Sequence, residues 1–188
     1  MAETNPKWKE AKEREAAAET MRRIYASQQR DHSPYITDRA KFEVFDKLEF
    51  RGPWSADILR KLHKLAYKGS EFENDGWVGK FRGEYGALEP EGMNFSGVKR
   101  DKVKDGVEEF VKWLNLCDST NMPTQRFAAQ AFLTFIRLHP YGDGNGRSGQ
   151  LLINLILRRN SQPPFIIKED WRKKINTLLQ EKDDQKFI

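Results

Sequence analysis

The chain has 188 residues, of which 38% are hydrophobic and 32% are charged, as expected for one folded domain of ordinary size. No apolar run approaches the about 18 residues of a membrane-spanning helix, and the N-terminal residues alternate charges where a Sec-type signal peptide would be apolar. The net charge is +5, but the 33 basic residues are interleaved with 28 acidic ones, which argues against a nucleic-acid partner.

The first predicted element is a helix over residues 7–30, which contain no Gly or Pro and are rich in Ala, Glu, Lys and Arg. Its apolar content is thin, so we expect residues 1–40 to form an arm beside a catalytic domain of residues 41–188. Two further helices are predicted over "FEVFDKLEF" and "SADILRKLHKLAY", the second with Ser55 as its N-cap.

The next segment, "GWVGKFRGEYGALEPEGMNFSGVKR", contains six glycines in 25 residues and is predicted to form loops or a hairpin. Helical spacing returns in "RDKVKDGVEEFVKWLNLC", "PTQRFAAQAFLTFIRL", "SGQLLINLILRRN" and "EDWRKKINTLLQEKDD". The pattern is therefore that of a mainly all-α protein. The single cysteine, Cys117, excludes an internal disulfide and is expected to be a buried thiol in a reducing compartment.

The stretch "RLHPYGDGNGRSGQLL", residues 137–152, is predicted to be a loop between two buried helices. It matches the GxGxxG pattern of dinucleotide-binding folds, but that pattern must follow a strand, and a helix is predicted here. A calcium loop fails because Arg147 and Ser148 stand where a ligand and the turn glycine belong. A Walker loop fails because no Gly-Lys-Ser or Gly-Lys-Thr follows.

The residue types in this stretch favour a site for phosphates. Glycines at a helix start can turn backbone N–H groups toward an anion, and the helix N-terminus adds partial positive charge. Arg147 supplies a permanently charged donor, Asp143 is an oxygen ligand suited to Mg²⁺, and His139 can accept a proton near neutral pH. Phosphate, metal and base together indicate phosphoryl or nucleotidyl transfer.

The residues "HPYGDGNGR" resemble the signature of the Fic family, HxFx(D/E)GNGRxxR, with Tyr141 in the aromatic position. The segment "VGKFRGEYGALEPEGMNFSGVK" is similar to the family's GxYR element and flap hairpin. The resemblance covers roughly residues 55–188. It implies a Fic-type bundle of six to eight helices with a small β-hairpin flap over the active site.

A typical member of that family transfers AMP from ATP to a Ser, Thr or Tyr hydroxyl of a target protein, with Mg²⁺ as cofactor and ATP as co-substrate. The resemblance implies that the target binds as an added strand at the flap, residues 88–95. It also implies the following roles: His139 as general base, Asp143 as Mg²⁺ ligand, Asn145 as donor to the α-phosphate, Gly144 and Gly146 as amide donors, and Arg147 as a further phosphate ligand.

The chain departs from the family at two places. The last Arg of the signature, which binds the γ-phosphate in the family, is Gln150 here. The C-terminal "ANxGDxxPF" element is reduced to "LLQEKDDQKF", and "RKK" replaces the aromatic residues of the adenine pocket. Two alternatives therefore stay open, namely a variant that uses another donor (UMP, phosphocholine or phosphoryl transfer) and a weakly active or inactive protein-binding module.

The inhibitory (S/T)xxxE(G/N) helix of many Fic proteins has no convincing counterpart in this chain. The nearest candidates are Thr177 with Glu181 and Ser27 with Asp31, and each departs from the pattern. A separate inhibitory protein is therefore kept as a candidate partner. The expected location is the cytoplasm, or a host cytosol if the protein is delivered there as an effector.

Overall fold

A computed structural model of the chain describes residues 52–88, 97–120 and 122–163. These residues form four α-helices, namely α1 (Ala56–Tyr67), α2 (Val103–Asp118), α3 (Thr124–Leu138) and α4 (Asn145–Arg159). A 3₁₀ turn, Arg100–Lys102, leads into α2. Within these ranges there is no strand, so the predicted mainly helical class is confirmed for the described part of the chain.

Several sequence predictions lie outside the described residues. These are the N-terminal arm of residues 1–40 with its boundary to 41–188, the last helix, and nearly all of the flap, of which only Leu88 is described. The expected total of six to eight helices and the hairpin therefore remain predictions. No helix in the described ranges is long and apolar enough to cross a membrane.

Helix α4 lies at the centre of the described bundle. It packs extensively on α3, to which the six residues 139–144 join it, and it also packs on α1. Helix α2 packs on α3. The middle of α4, residues 151–157, is buried all round and apolar except for Asn154, as expected for a helix enclosed by neighbours, with Leu152 and Ile156 fully buried.

Local sequence explains where the helices begin. The Ser55 side chain accepts a hydrogen bond from the N–H of Ile58, which confirms the predicted N-cap of α1. Helix α4 begins at Asn145, three residues before the predicted start, so the prediction of a loop through Arg147 is wrong. Gly144 serves as its N-cap in a left-handed conformation (φ 75°). The residues that follow, including Gly146, are part of the regular helix.

Candidate active site

The residues 139–144 form a loop that is fixed by its own side chains. The N–H of Tyr141 donates to Asn145 Oδ1 (3.0 Å), and Asn145 Nδ2 donates to the Tyr141 carbonyl (2.7 Å). The Tyr141 ring is 1% exposed and stacks on His63 with 3.8 Å between ring centroids. The Tyr141 hydroxyl is buried and has no hydrogen-bond partner in the described residues. The ring therefore anchors the loop, and the hydroxyl contributes nothing to that anchoring.

Two glycines of this loop are required by close approach. A Cβ on Gly142 would collide with the backbone carbonyl of Leu88, so the segment that leads into the flap runs directly beside the loop. A Cβ on Gly144 would lie 2.7 Å from the Tyr67 ring, in addition to the cost of its positive φ. By contrast, a Cβ on Gly146 would meet no atom of residues 52–88, 97–120 or 122–163 within 4 Å. The N-terminus of α4 therefore opens onto free space at Gly146.

His139 ends α3 in a left-handed conformation (φ 48°, ψ 59°), which is strained for a residue other than glycine. Arg82 holds this turn with its side chain and its backbone. Its side-chain Nε donates to the His139 carbonyl (2.7 Å), and its backbone N–H donates to the Pro140 carbonyl (2.8 Å). Arg82 Nη2 also donates to the carbonyl of Val98 (2.7 Å), beyond the flap. The buried Arg82 guanidinium thus connects the turn that carries His139 with Val98, which follows the flap in the sequence.

The pKa of His139 is lowered to about 4, mainly by burial and further by the positive charge of Arg82. A hydrogen bond to the Ile136 backbone acts in the opposite direction but does not prevail. The expectation that His139 titrates near neutral pH is therefore wrong for this structure. The imidazole is neutral at pH 7, which is the form that a general base requires.

The Asp143 carboxylate lies at the N-terminus of α4, where Tyr67 and Arg147 hold one of its oxygens. The Tyr67 hydroxyl and Arg147 Nη2 (2.7 Å) both donate to Oδ2. Burial acts to raise the pKa of Asp143, but the Tyr67 hydrogen bond, the charge of Arg147 and the N–H of Gly144 together hold it below its ordinary value. The side chain is nevertheless 60% exposed, so the ionised carboxylate remains accessible to a cation.

The Arg147 guanidinium is nearly enclosed, with 8% of the residue exposed. Its Nη2 is used by Asp143 and Tyr67, but its Nη1 is buried without a hydrogen-bond partner in the described residues. A buried guanidinium N–H without an acceptor is costly, and an incoming anion would remove that cost.

His63, on α1, holds the backbone of Asp143. Its Nδ1 accepts a hydrogen bond from the N–H of Gly79 (2.8 Å), so Nε2 must carry the proton that points at the Asp143 carbonyl (3.0 Å). Burial lowers the pKa of His63 to about 4, and the neutral form is the one that these two hydrogen bonds require.

The structure brings all the predicted site residues together in the loop and the first turn of α4: His139, Asp143, Gly144, Asn145, Gly146 and Arg147. Asn145 is only 3% exposed, and its amide is engaged by the Tyr141 backbone. Its expected donation to an α-phosphate stays a prediction that would use the second hydrogen of Nδ2.

Three contributors were missed in the sequence, namely His63, Tyr67 and Arg82. The sequence held a signal for His63 and Tyr67. They are four residues apart, so they lie on the same face of α1, next to its apolar positions. Arg82 belongs to "GKFR", which resembles the family's GxYR element, but nothing local indicated that it would reach the His139 carbonyl.

Gln150 lies in the second turn of α4, and its buried Oε1 has no hydrogen-bond donor among the described residues. Arg159 cannot substitute for the missing arginine. It lies nine residues away and is bound to Asp118 (3.0 Å), to the Gly52 carbonyl (2.7 Å) and to the face of Trp54.

The model of the Fic/DOC family matches residues 53–157, which is more than half of the chain. The chain belongs to the Fic/DOC family. A curated relative, the protein adenylyltransferase Fic of Culex quinquefasciatus, is 40% identical over 74 residues, which cover 39% of this chain and 15% of the relative. The match to that Fic protein is therefore confined to a small part of its length.

Solved Fic structures share the fold. A Fic-1 fragment from C. elegans has a TM-score of 0.58 and 24% identity, covering 77% of this chain and 41% of its own. The BepC effector of Bartonella tribocorum, with bound AMPPNP, has a TM-score of 0.54 and 18% identity over 79% of this chain and 82% of its own. The expected Fic-type helical fold is thereby confirmed.

Proposed function

We propose that this Fic protein is a protein adenylyltransferase that transfers AMP from ATP to a Ser, Thr or Tyr hydroxyl of a target protein. Curated relatives that share the Fic segment are named protein adenylyltransferases. The observation that carries the proposal is the buried Arg147 Nη1, which has no partner among the described residues, at a helix N-terminus that those residues leave open. A guanidinium N–H without an acceptor, in the same helical turn as the open position at Gly146, fits a phosphate group.

The chemical step assigned to this site is attack of the target hydroxyl oxygen on the α-phosphorus of ATP. The new O–P bond replaces the bond to the β-phosphate bridging oxygen, and pyrophosphate leaves. His139 takes the hydroxyl proton, for which its neutral imidazole is ready at pH 7. Arg82 supports this role because it fixes the strained turn that carries His139.

Asp143 is the residue proposed to hold Mg²⁺. Its carboxylate is ionised, partly exposed and oriented by two donors, which suits a hard cation that binds only one or two carboxylates. No group of three or more His, Cys, Asp or Glu that could hold a metal occurs in the described ranges, in keeping with a cation completed by phosphate oxygens and water. When bound, Mg²⁺ would neutralise phosphate charge.

The target is proposed to bind as an added strand along residues 88–95. The close contact of the Leu88 carbonyl with Gly142 supports this proposal, because it brings the start of that segment beside the loop of His139. The buried free thiol of Cys117 supports a reducing, cytosolic compartment. A separate inhibitory protein is also proposed as a partner, and no surface is assigned to its binding.

Gln150 favours a second candidate, a Fic enzyme with a different phosphate donor. A neutral amide replaces the cation that other members direct at the γ-phosphate, and Arg159 is committed elsewhere. A donor with fewer phosphates, such as a nucleoside diphosphate linked to choline, would lose less from this change than ATP does.

The test is incubation of the protein with lysate, Mg²⁺ and each α-³²P-labelled nucleoside triphosphate or labelled CDP-choline, followed by mass spectrometry of the labelled proteins. We expect AMP on a hydroxyl side chain. His139→Ala should lower transfer about a hundredfold or more, with the fold intact, because a positioned base contributes on that scale. Equal transfer by His139→Ala and the parent would refute the role of His139, and label from another donor would establish the second candidate.

A further inference from the structure

Tyr67 connects the proposed metal ligand with the proposed phosphate ligand. It is the last residue of α1, and it is 1% exposed. The Arg147 guanidinium lies over its ring, 4.1 Å from the centroid, and Trp77 packs edge-on against the ring at 4.9 Å. The Tyr67 hydroxyl donates to Asp143 Oδ2 and accepts from Arg147 Nη2 (2.5 Å).

The direction of these hydrogen bonds follows from the groups involved. A guanidinium can only donate, so the hydroxyl oxygen must accept from Arg147. The single hydroxyl hydrogen is then available to Asp143, whose ionised carboxylate can only accept. Tyr67 therefore restrains the rotation of the carboxylate about its terminal bond, in a way that a Phe ring would not.

The backbone of Asp143 is held by a different residue on the same helix. His63 donates to the Asp143 carbonyl, and its ring is clamped between Tyr141 and the N–H of Gly79. Removal of the Tyr67 hydroxyl should thus loosen the orientation of the Asp143 side chain, which keeps its hydrogen bond from Arg147 (2.7 Å), while its main chain stays in place.

We propose that Tyr67 is a positioning residue that orients the Asp143 carboxylate toward the divalent cation and couples cation binding to nucleotide binding through Arg147. This inference rests on the proposed function to the extent that Asp143 binds the metal. Partners that orient a ligating carboxylate commonly change metal affinity by about tenfold to a hundredfold. A residue that only fills space would not affect the metal separately from the nucleotide.

The experiment compares Tyr67→Phe with Tyr141→Phe. Each substitution removes one buried hydroxyl and keeps the ring, but the Tyr141 hydroxyl has no partner to lose among the residues that the structure describes. Calorimetry measures AMPPNP binding in EDTA and at increasing Mg²⁺. We expect Tyr67→Phe to raise the Mg²⁺ concentration for half-maximal effect about tenfold and to leave the affinity in EDTA within about twofold of the parent. Tyr141→Phe should match the parent in its Mg²⁺ dependence.

The outcomes separate this inference from the proposed function. If AMPPNP binding by the parent depends on Mg²⁺ and Tyr67→Phe has the same Mg²⁺ dependence, the positioning role is refuted and the proposed function stands. Equal weakening with and without Mg²⁺ would likewise refute it, since that is the effect of lost packing. If the parent binds AMPPNP equally with and without Mg²⁺, both the metal role of Asp143 and the positioning role of Tyr67 are refuted.

A measurement on the parent covers the case in which Tyr67→Phe does not fold. Labelling with tyrosine that carries ¹³C at Cζ gives one NMR signal for each of the five tyrosines. The Tyr67 signal is the one that remains after Tyr→Phe substitutions have assigned the others. It should move when Mg²⁺ is added to the AMPPNP complex, whereas the Tyr141 signal should not, and a stationary Tyr67 signal overturns the proposal.

Discussion

Replacement of Gly146 by Ala should change stability and nucleotide binding in opposite directions. Gly146 is the second residue of α4, and a Cβ there would meet no atom of the described part of the chain within 4 Å, so Ala introduces no clash with that part. Ala is favoured over Gly in a helix by about 0.5–1 kcal/mol, mostly because Gly loses more conformational entropy on folding. For a protein of this length, about 1 kcal/mol corresponds to roughly 2–4 °C, so we expect the Tm to rise by about 1–4 °C.

The same methyl group should obstruct a phosphate. In a helix each Cβ is tilted toward the N-terminus, which is the side from which an anion approaches the free N–H groups. A phosphate oxygen that accepts from such an N–H sits about 2.9 Å from the nitrogen, whereas it must stay about 3.5 Å from a methyl carbon. We therefore expect AMPPNP affinity to fall tenfold or more, about 1.4 kcal/mol.

The assay is thermal unfolding of the free protein together with calorimetric titration of AMPPNP in Mg²⁺. Gly149→Ala is the matched control on the same helix, because its Cβ would lie 3.0 Å from the Phe132 ring on the side of α3. It should lower the Tm and leave the affinity of the folded protein nearly unchanged. If Gly146→Ala binds AMPPNP as tightly as the parent, no phosphate occupies the space above α4, and the proposed cradle is wrong.

Three further predictions concern the metal, the donor and pH. Asp143→Ala should abolish the effect of Mg²⁺ on nucleotide binding, and calorimetry that finds the parent already indifferent to Mg²⁺ would contradict the assignment. Gln150→Arg should favour a triphosphate over a diphosphate by about 1 kcal/mol or more and speed AMP transfer if ATP is the donor; a strong triphosphate preference in the parent would mean that another cation serves. Burial lowers the pKa of His63 to about 4. Between pH 6.5 and 4 the unfolded chain therefore binds more protons than the folded one. The free energy of unfolding should fall as the pH drops through that window. Urea unfolding should detect a loss of about 2 kcal/mol from His63 between pH 7 and pH 5, with His139 adding in the same direction, and equal stability at both pH values would exclude buried neutral histidines.

Local features of the sequence were sufficient for α1, α2 and α3 and for the position of the motif. The apolar spacing over α1, α2 and α3 predicted elements that the structure contains, and Ser55 marked the start of α1. The signature "HPYGDGNGR" identified the loop and the six residues to which site roles are assigned. The helix and N-cap predictions succeed because periodicity and capping depend on residues within a few positions of each other. The roles assigned to the six residues stay predictions.

The start of α4 shows the limit of such local reasoning. Glycines at 144 and 146 suggested a loop through Arg147, because glycine is a poor helix former in isolation. In the fold, the Asn145 side chain binds the Tyr141 backbone and Gly144 takes the left-handed position, so the helix begins earlier. The packing of α4 against α3 and α1 outweighs the low propensity of its first turn.

What the sequence by itself determined is where the candidate site residues lie: a histidine, an aspartate, an arginine and glycines around a helix start. What only the tertiary structure decided is the state in which they are held. His139 is neutral because the fold buries it beside Arg82, and Asp143 is oriented because Tyr67, 76 residues earlier, reaches it from α1. Helical periodicity predicts which face of α1 is buried, but not which helix covers that face, so contacts between such distant residues arise only when the helices pack.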